Sequence, residues 1–227
     1  NYFSRFSGCK HYMWLIGQDA KKSNQYIQRI KPPANKIIAM SDFLQEEYLK
    51  NHNTKPFLVV ENGIDKNAFP DVNIGKREID VLGVGSLIHL KNYSLFIEII
   101  YELKKTYPSI NVVIAGEGIE EQALKDKVKN LGLEHTINFK GSIPHTQIFE
   151  LMNHSKIFLH TSNYEGNSTV LMEALYSGCF TISTQALSNK ELRNFQIAAR
   201  KDEFVQFVHS KLQNYGLPHE RICFNTM

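Results

Sequence analysis

The stretch KIFLHTSNYEGNSTVLMEALYSGCFTIST, residues 156–184, contains two apolar runs separated by a polar loop and a helical segment. Residues 156–161 predict a buried strand, and residues 168–178 predict a helix that stops at Gly178. Residues 180–184 predict the next strand. A strand, a helix and a strand in succession form the unit from which parallel sheets are built. The stretch therefore predicts an α/β fold with a parallel sheet covered on both faces.

The same alternation extends toward the N-terminus. Further strands are predicted at 80–85, 111–116 and 136–141, with helices at 92–107, 120–133 and 145–155. Residues 1–70 contain about three more strands and two helices, too few for a complete doubly wound domain. The predicted organisation is a partial N-terminal Rossmann-like domain at 1–70, a linker at 71–79, a C-terminal domain at 80–190 and a helical tail at 191–227. A chain that begins with Asn is also expected to be a fragment that lacks the start of its first domain.

Composition excludes several classes of protein. The net charge of +3 over 227 residues is too small to argue for nucleic-acid binding. No apolar run is long enough for a membrane span, which needs about 18 residues or more. The three cysteines, Cys9, Cys179 and Cys223, are widely spaced and odd in number, so they favour a reducing compartment over a disulfide framework or a zinc site. Cys179 begins an apolar run and is expected to be a buried thiol.

Two strand-to-helix turns before residue 156 are rich in glycine. In the first, Gly85 ends a strand and Lys91 follows in the same loop. The pattern is neither a Walker A motif nor a dinucleotide-binding fingerprint. Gly85 would let the backbone approach a phosphate and Lys91 would supply a charge, or the segment is a tight turn with a surface lysine. The second turn, 115–118, either leaves room for a ligand or requires a glycine with positive φ.

The turn in the opening stretch carries two acids, Glu165 before the helix and Glu173 within it. The helix start at residues 167–169 would offer free backbone N–H groups to an anion, although these residues are also ordinary N-caps. A carboxylate among Val170, Leu171 and Ala174 is costly unless it is paired or faces a ligand. A carboxylate can accept hydrogen bonds from sugar hydroxyls. The alternative is that Glu173 lies on a solvent-exposed face of the helix.

The run from Asn163 to Thr184 resembles the Glu-x7-Glu segment of retaining glycosyltransferase family 4, also called group 1 glycosyltransferases. Other segments of the chain resemble that family in the same order, namely 59–65, 84–92 and 112–143. The resemblance covers about residues 36–184. It implies the GT-B fold, in which two Rossmann-like domains face each other across a cleft. Residues 80–184 would then form most of the donor-binding domain.

The resemblance also implies residue roles. The family pattern places Glu165 at the donor sugar, Glu173 at the ribose hydroxyls, and Lys91 at the diphosphate, where it stabilises the leaving group without a bound metal. The diphosphate would be held by the backbone N–H groups of Gly166, Asn167 and Ser168. The base would be contacted by the backbone of Ser142 and Ile143. Ser86 stands where many members have arginine, so one diphosphate cation is missing. Gln18 and Asp19 are candidates for acceptor contact, or else polar turn residues.

The implied function is transfer of a sugar, with retention of anomeric configuration, from a nucleotide-diphospho-sugar to a glycan or lipid-linked acceptor, in cell-surface polysaccharide synthesis. No cofactor, metal or nucleic acid is expected. The resemblance implies a cytoplasmic location with peripheral association at the inner face of a membrane. Two alternatives stay open. One is a fragment that binds a nucleotide sugar but transfers nothing alone, and the other is a sugar-nucleotide epimerase or inverting transferase on the same fold.

Overall fold

A computed structural model describes residues 10–71, 77–187 and 192–215. The chain is an α/β protein with two parallel sheets, which confirms the predicted fold class. It divides into two compact units, one with residues up to Gly63 together with Glu165–Ser168, the other with Ile64–Tyr164 and the residues from Thr169 onward. The sequence-based domain boundaries, with a linker at 71–79, remain predictions. Across the described residues, no helix has the length and apolar character needed to cross a membrane.

The smaller unit contains a three-stranded parallel sheet in the order β1-β2-β3. Its elements are β1 (Met13–Leu15), α1 (Gln25–Ile30), β2 (Ile37–Ala39), α2 (Asp42–His52) and β3 (Leu58–Val59). Ser41 caps α2, because its side chain accepts a hydrogen bond from the Leu44 backbone N–H. The core of this unit includes Leu15, Ile37 and Tyr48, all fully or almost fully buried.

The larger unit contains a six-stranded sheet in the order β6-β5-β4-β7-β8-β9, with every pair of neighbours parallel. The strands are β4 (Ile79–Val84), β5 (Val112–Ala115), β6 (Ile137–Phe139), β7 (Ser155–His160), β8 (Phe180–Ser183) and β9 (Phe195–Ile197). The helices are α3 (Tyr93–Thr106), α4 (Glu121–Asn130), α5 (His145–Asn153), α6 (Thr169–Tyr176) and α7 (Lys201–Gln213). This strand order is that of a doubly wound Rossmann-like sheet, with the chain reversing its direction of growth between β4 and β7.

The sheet of the larger unit is buried on both faces. Val81 and Val112 contribute to one core, together with α3, α4 and α7. Leu82 and Val113, their neighbours in sequence, contribute to the opposite core, together with α5 and α6. Because successive side chains of a strand point to opposite faces, strands covered on both sides are apolar at most of their positions. This explains why these strands appear in the sequence as nearly continuous apolar runs, with few interruptions such as Asp80 and Lys156.

The predicted helical tail, 191–227, contains an additional strand, β9, that was not predicted. β9 extends the sheet, with Thr181 paired to Phe195 and Ser183 to Ile197. A three-residue edge strand is too short to give a periodic signal of its own. The helix that follows, α7, is part of the fold, since Phe204 and Val208 are buried in the core that it shares with α3 and α4. Residues beyond 215 lie outside the described part of the chain.

Cys179 is a buried thiol, as predicted from its apolar surroundings. Its Sγ lies 3.0 Å from the backbone carbonyl oxygen of Met152, to which it donates. Burial raises the pKa of the Cys179 thiol to about 12, and the nearby Arg77 guanidinium opposes that shift. Cys9 and Cys223, the other two cysteines of the sequence, lie outside the described residues.

Candidate functional site

In the larger unit, a ligand is expected at the point where the strand order reverses, between β4 and β7. β4 and β7 are hydrogen-bonded neighbours, with Val81 opposite Ile157. The helix after β4, α3, packs on one face of the sheet, whereas the helix after β7, α6, packs on the other. The connections therefore diverge and leave a crevice at the carboxyl ends of these two strands. In open α/β sheets, ligands bind in this crevice.

Lys91 lies at this crevice because two loops are joined there. Lys91 ends a short 3-10 helix, His89–Lys91. The loop after β7 bonds to this turn: the Thr161 hydroxyl donates to the Lys91 carbonyl at 3.0 Å, and the Asn163 backbone N–H donates to the Leu90 carbonyl at 2.8 Å. The side chain of Lys91 passes 3.9 Å from the point that a Cβ on Gly85 would occupy. A cation is thus held beside the glycine turn that ends β4.

The two glycine turns after β4 and β5 are packed against each other. Gly85 and Gly116 have φ of 151° and 142°, values that residues with a Cβ rarely adopt. A Cβ on Gly116 would overlap the carbonyl oxygen of Gly85. The Gly85 N–H also donates to the Ala115 carbonyl at 3.0 Å. At Gly116 the structure therefore favours the backbone explanation of the glycine, in which positive φ and close approach of two turns are required.

Three predicted donor-site residues follow β4 and β6. Ser86 and Ser142 are exposed, and Ile143 is half-buried. Ile143 packs against the core beneath α5 and α6. It also lines a cavity of about 790 Å³ alongside Gln147 and Lys140. The lining of this cavity includes neither Lys91 nor Glu173. The predicted contact of the 142–143 backbone with a base remains a prediction.

Glu173 is a buried carboxylate with a specific partner. The residue is 8% exposed, which excludes the alternative that it lies on a solvent-exposed face of its helix. Its Oε1 lies 3.1 Å from Nε2 of His145, the first residue of α5. His145 was not among the residues predicted from the sequence. The contact joins two helices 28 positions apart in sequence (173 − 145), so no local pattern could have revealed it.

The smaller unit contains Gln18 and Asp19, the residues predicted on the acceptor side. Both lie in a 3-10 helix, Gln18–Ala20, directly after β1. The Asp19 carboxylate accepts a hydrogen bond from the Ile16 backbone N–H at 3.2 Å. This local bond gives Asp19 a role in shaping the turn. Gln18 is exposed.

The segment Glu165–Ser168 groups with the smaller unit. Within that unit the Gly166 carbonyl accepts a hydrogen bond from the Ser41 hydroxyl at 2.8 Å, and the Asn167 side-chain amide donates to the Met40 carbonyl at 2.6 Å. A Cβ on Gly166 would overlap the backbone of Ile16. Gly166 is thus required for close packing of the backbone. Ser168 is buried, and Glu165 is partly exposed.

Comparison with known proteins gives one family match. The family "Glycosyl transferases group 1" matches residues 65–194, more than half of the chain. The match includes Lys91, Glu165 and Glu173. It also spans every strand of the larger unit from β4 to β8.

Curated relatives and solved structures resemble the chain over part of their own length. The gpi3 subunit of the phosphatidylinositol N-acetylglucosaminyltransferase of Schizosaccharomyces pombe is 26% identical over 167 residues, which cover 72% of this chain and 37% of that protein. The 2-deoxystreptamine N-acetyl-D-glucosaminyltransferase of Niallia circulans is 25% identical over 164 residues, covering 72% and 39%. HepE of Anabaena, solved with UDP and glucose, superposes with a TM-score of 0.75 at 19% identity, covering 93% of this chain and 64% of that one.

Proposed function

We propose, because the chain belongs to the group 1 glycosyltransferases, that it transfers a sugar from a nucleotide-diphospho-sugar to a hydroxyl acceptor with retention of anomeric configuration. The observation that carries the proposal is the placement of Lys91 where the sheet reverses direction, held there by hydrogen bonds from the loop after β7. A glycine turn and a cation at the carboxyl ends of parallel strands are suited to a diphosphate.

The proposed chemistry places negative charge on the diphosphate. The bond between the anomeric carbon and the diphosphate oxygen breaks, the acceptor hydroxyl oxygen bonds to that carbon on the same face, and the hydroxyl proton passes to the departing diphosphate. The departing diphosphate gains charge in the transition state, and groups that bind this charge more strongly there accelerate the reaction. Lys91 would supply a positive charge, and backbone N–H groups of Gly166, Asn167 and Ser168 would supply hydrogen bonds. On this proposal no metal ion is needed.

The remaining roles follow the family pattern. Glu165 would contact the donor sugar, Glu173 the ribose hydroxyls, and the backbone of Ser142 and Ile143 the base. Ser86 stands where many members of the family have arginine, so Lys91 would neutralise more of the negative charge of the diphosphate. Gln18 and Asp19 would face the acceptor. A glycan or lipid-linked acceptor is proposed, and the lipid-linked form would bring the protein to a membrane surface.

A nucleotide panel tests the binding step on the 227-residue chain. UDP, GDP and ADP are added separately, and the melting temperature is measured, since a ligand that binds the folded state raises it. UDP is the first nucleotide to test because HepE was solved with UDP and glucose. At least one nucleoside diphosphate is expected to raise the melting temperature more than the matching nucleoside. No shift with any of the three would contradict the proposal.

Product analysis tests the transfer step. The matched segment spans 37% of the Schizosaccharomyces pombe relative, so binding and transfer are separate questions for this chain. With a binding nucleotide known, its sugar conjugates are offered together with glycan acceptors, and the anomeric configuration of the product is read by NMR. Retention is expected. Inversion would indicate an inverting transferase, and epimerised donor without transfer would indicate an epimerase.

A further inference from the structure

The carboxylate of Glu173 depends on one side chain for its polar contact. Its side chain is 10% exposed, and a carboxylate removed from water is costly unless it is hydrogen-bonded. Within the described residues, His145 is its only polar side-chain partner, at 3.1 Å from Oε1. A carboxylate oxygen only accepts hydrogen bonds, and an imidazole nitrogen that carries a proton can donate one. The contact therefore orients the Glu173 carboxylate toward the first residue of α5.

The imidazole ring of His145 is held in place by aromatic packing. Its centroid lies 4.4 Å from that of Phe149, one turn further along α5. Phe149 is buried and stacks on Phe69 at 3.9 Å, and Phe69 contacts Tyr176 edge-on at 4.8 Å. Tyr176 lies on α6, the helix that carries Glu173. Phe149 therefore supports the ring of His145 by direct packing, although the His145 side chain is 65% exposed.

Among the residues that the structure describes, the second carboxylate oxygen of Glu173 has no polar side-chain partner. His145 takes a single acceptor position on Oε1, whereas two carboxylate oxygens offer about four such positions. A pair of neighbouring hydroxyls could donate to the remaining ones. The exposed ring of His145 marks the side from which such a ligand would approach.

We propose that His145 is a positioning residue for nucleotide binding. By donating from Nε2 to Oε1 it holds the Glu173 carboxylate in the orientation that accepts the two ribose hydroxyls. This inference rests on the proposed function, because it takes the bound ligand to be a nucleotide. The proposal adds His145, on α5, to the nucleotide site. His145 would help the site to prefer ribose over a sugar that lacks the 2′ and 3′ hydroxyls.

The test compares two ligands that differ only in the hydroxyls. The nucleoside diphosphate that binds best in the nucleotide panel and its 2′,3′-dideoxy analogue are titrated calorimetrically into the 227-residue chain. The ribose preference is the ratio of the two dissociation constants. Hydrogen bonds to a charged acceptor predict a preference of about 10-fold or more in the unmodified chain. Glu173→Ala, as the reference variant, should abolish it.

Three substitutions of His145 separate hydrogen bonding from packing. His145→Ala removes both, His145→Phe keeps an aromatic ring on Phe149 without a donor, and His145→Gln keeps an N–H donor. The Ala and Phe variants should lower the ribose preference by about 3- to 10-fold, with little change in the affinity for the dideoxy ligand. The Gln variant should recover part of the preference. His135→Ala, at an exposed histidine outside the site, is the matched control and should behave as the unmodified chain.

Each other outcome overturns a defined statement. A full ribose preference in His145→Phe, or an equal loss of affinity for both ligands in His145→Ala, overturns the positioning role alone. An unmodified chain that binds nucleotides without ribose preference overturns the role of Glu173 and this inference with it, and nucleotide binding stands. An unmodified chain that binds no nucleotide overturns the proposed function itself.

Discussion

Arg77 and Ser177 are joined by a hydrogen bond of 2.7 Å from the guanidinium Nη2 to the backbone carbonyl. Arg77 precedes β4 and is only 1% exposed. Its Nη1 also donates to the carbonyls of Met152 and Ser155, at 3.1 Å and 2.6 Å. The carbonyls of Met152 and Ser177 lie at the C-terminal ends of α5 and α6, where the helix dipole is negative, and that of Ser155 lies at the start of β7. The helices that carry His145 and Glu173 are therefore anchored to the same cation.

Replacement of this arginine should destabilise the fold. Arg77→Met keeps much of the volume but removes the guanidinium hydrogen bonds to the carbonyls of Met152, Ser155 and Ser177, so the free energy of unfolding should fall by about 3 kcal/mol or more. Urea unfolding monitored by circular dichroism measures the change. Arg29→Met, at an exposed position of α1, is the control and should change stability by less than about 0.5 kcal/mol. A loss at Arg77 no larger than the control would contradict the anchoring role.

Cys179 should make stability depend on alkaline pH. Burial raises the pKa of its thiol from 9.0 to about 12, so the unfolded chain loses this proton at lower pH than the folded one. The stabilisation is complete below pH 9 and is lost as pH rises toward 12, at about 1.4 kcal/mol per pH unit.

The Cys179→Ala chain isolates this effect, because every other titrating group is common to both chains. Urea unfolding at several pH values between 8 and 11 should show the difference in unfolding free energy between the two chains shrinking as pH rises above about 9. A difference that stays constant over this range would mean that the thiol ionises with equal ease in the folded and unfolded states.

Lys91 should matter for charge recognition and not for folding. Lys91→Gln is expected to weaken binding of the nucleoside diphosphate by about 10-fold or more and to leave binding of the nucleoside nearly unchanged. Calorimetric titration measures both affinities, and the melting temperature of the free variant checks the fold. Lys129→Gln, at an exposed position of α4, is the control. If Lys91→Gln lowered the melting temperature and both affinities together, the lysine would have a structural role.

Two glycines with positive φ should respond differently to alanine. Gly132 has φ of 65° and open space around its missing side chain, so Gly132→Ala should cost about 1–2 kcal/mol from backbone strain alone. At Gly116 the added Cβ would also meet the carbonyl oxygen of Gly85, so Gly116→Ala should cost about 3 kcal/mol or more. Denaturant unfolding of both variants compares the two costs. Equal costs would show that the turns at 85 and 116 separate easily.

Much of the larger unit was predictable because its signals are local. Apolar runs marked β4, β5, β7 and β8, and Gly178 marked the end of the helix between the last two of these. Lys91 and Glu173 stood out from their immediate sequence, the first beside a glycine turn and the second among apolar neighbours. β9 was missed because a three-residue edge strand has no periodicity of its own.

The sequence by itself determined the class of fold, the family and the candidate residues, since these depend on spacing along the chain. The tertiary structure decided which of those residues are partnered. Glu173 contacts His145, which is 28 positions away in the sequence (173 − 145). Arg77 donates a hydrogen bond to the carbonyl of Ser177, which is 100 positions away (177 − 77). Such contacts arise when helices pack on the same face of a sheet, and packing is not encoded in any single segment.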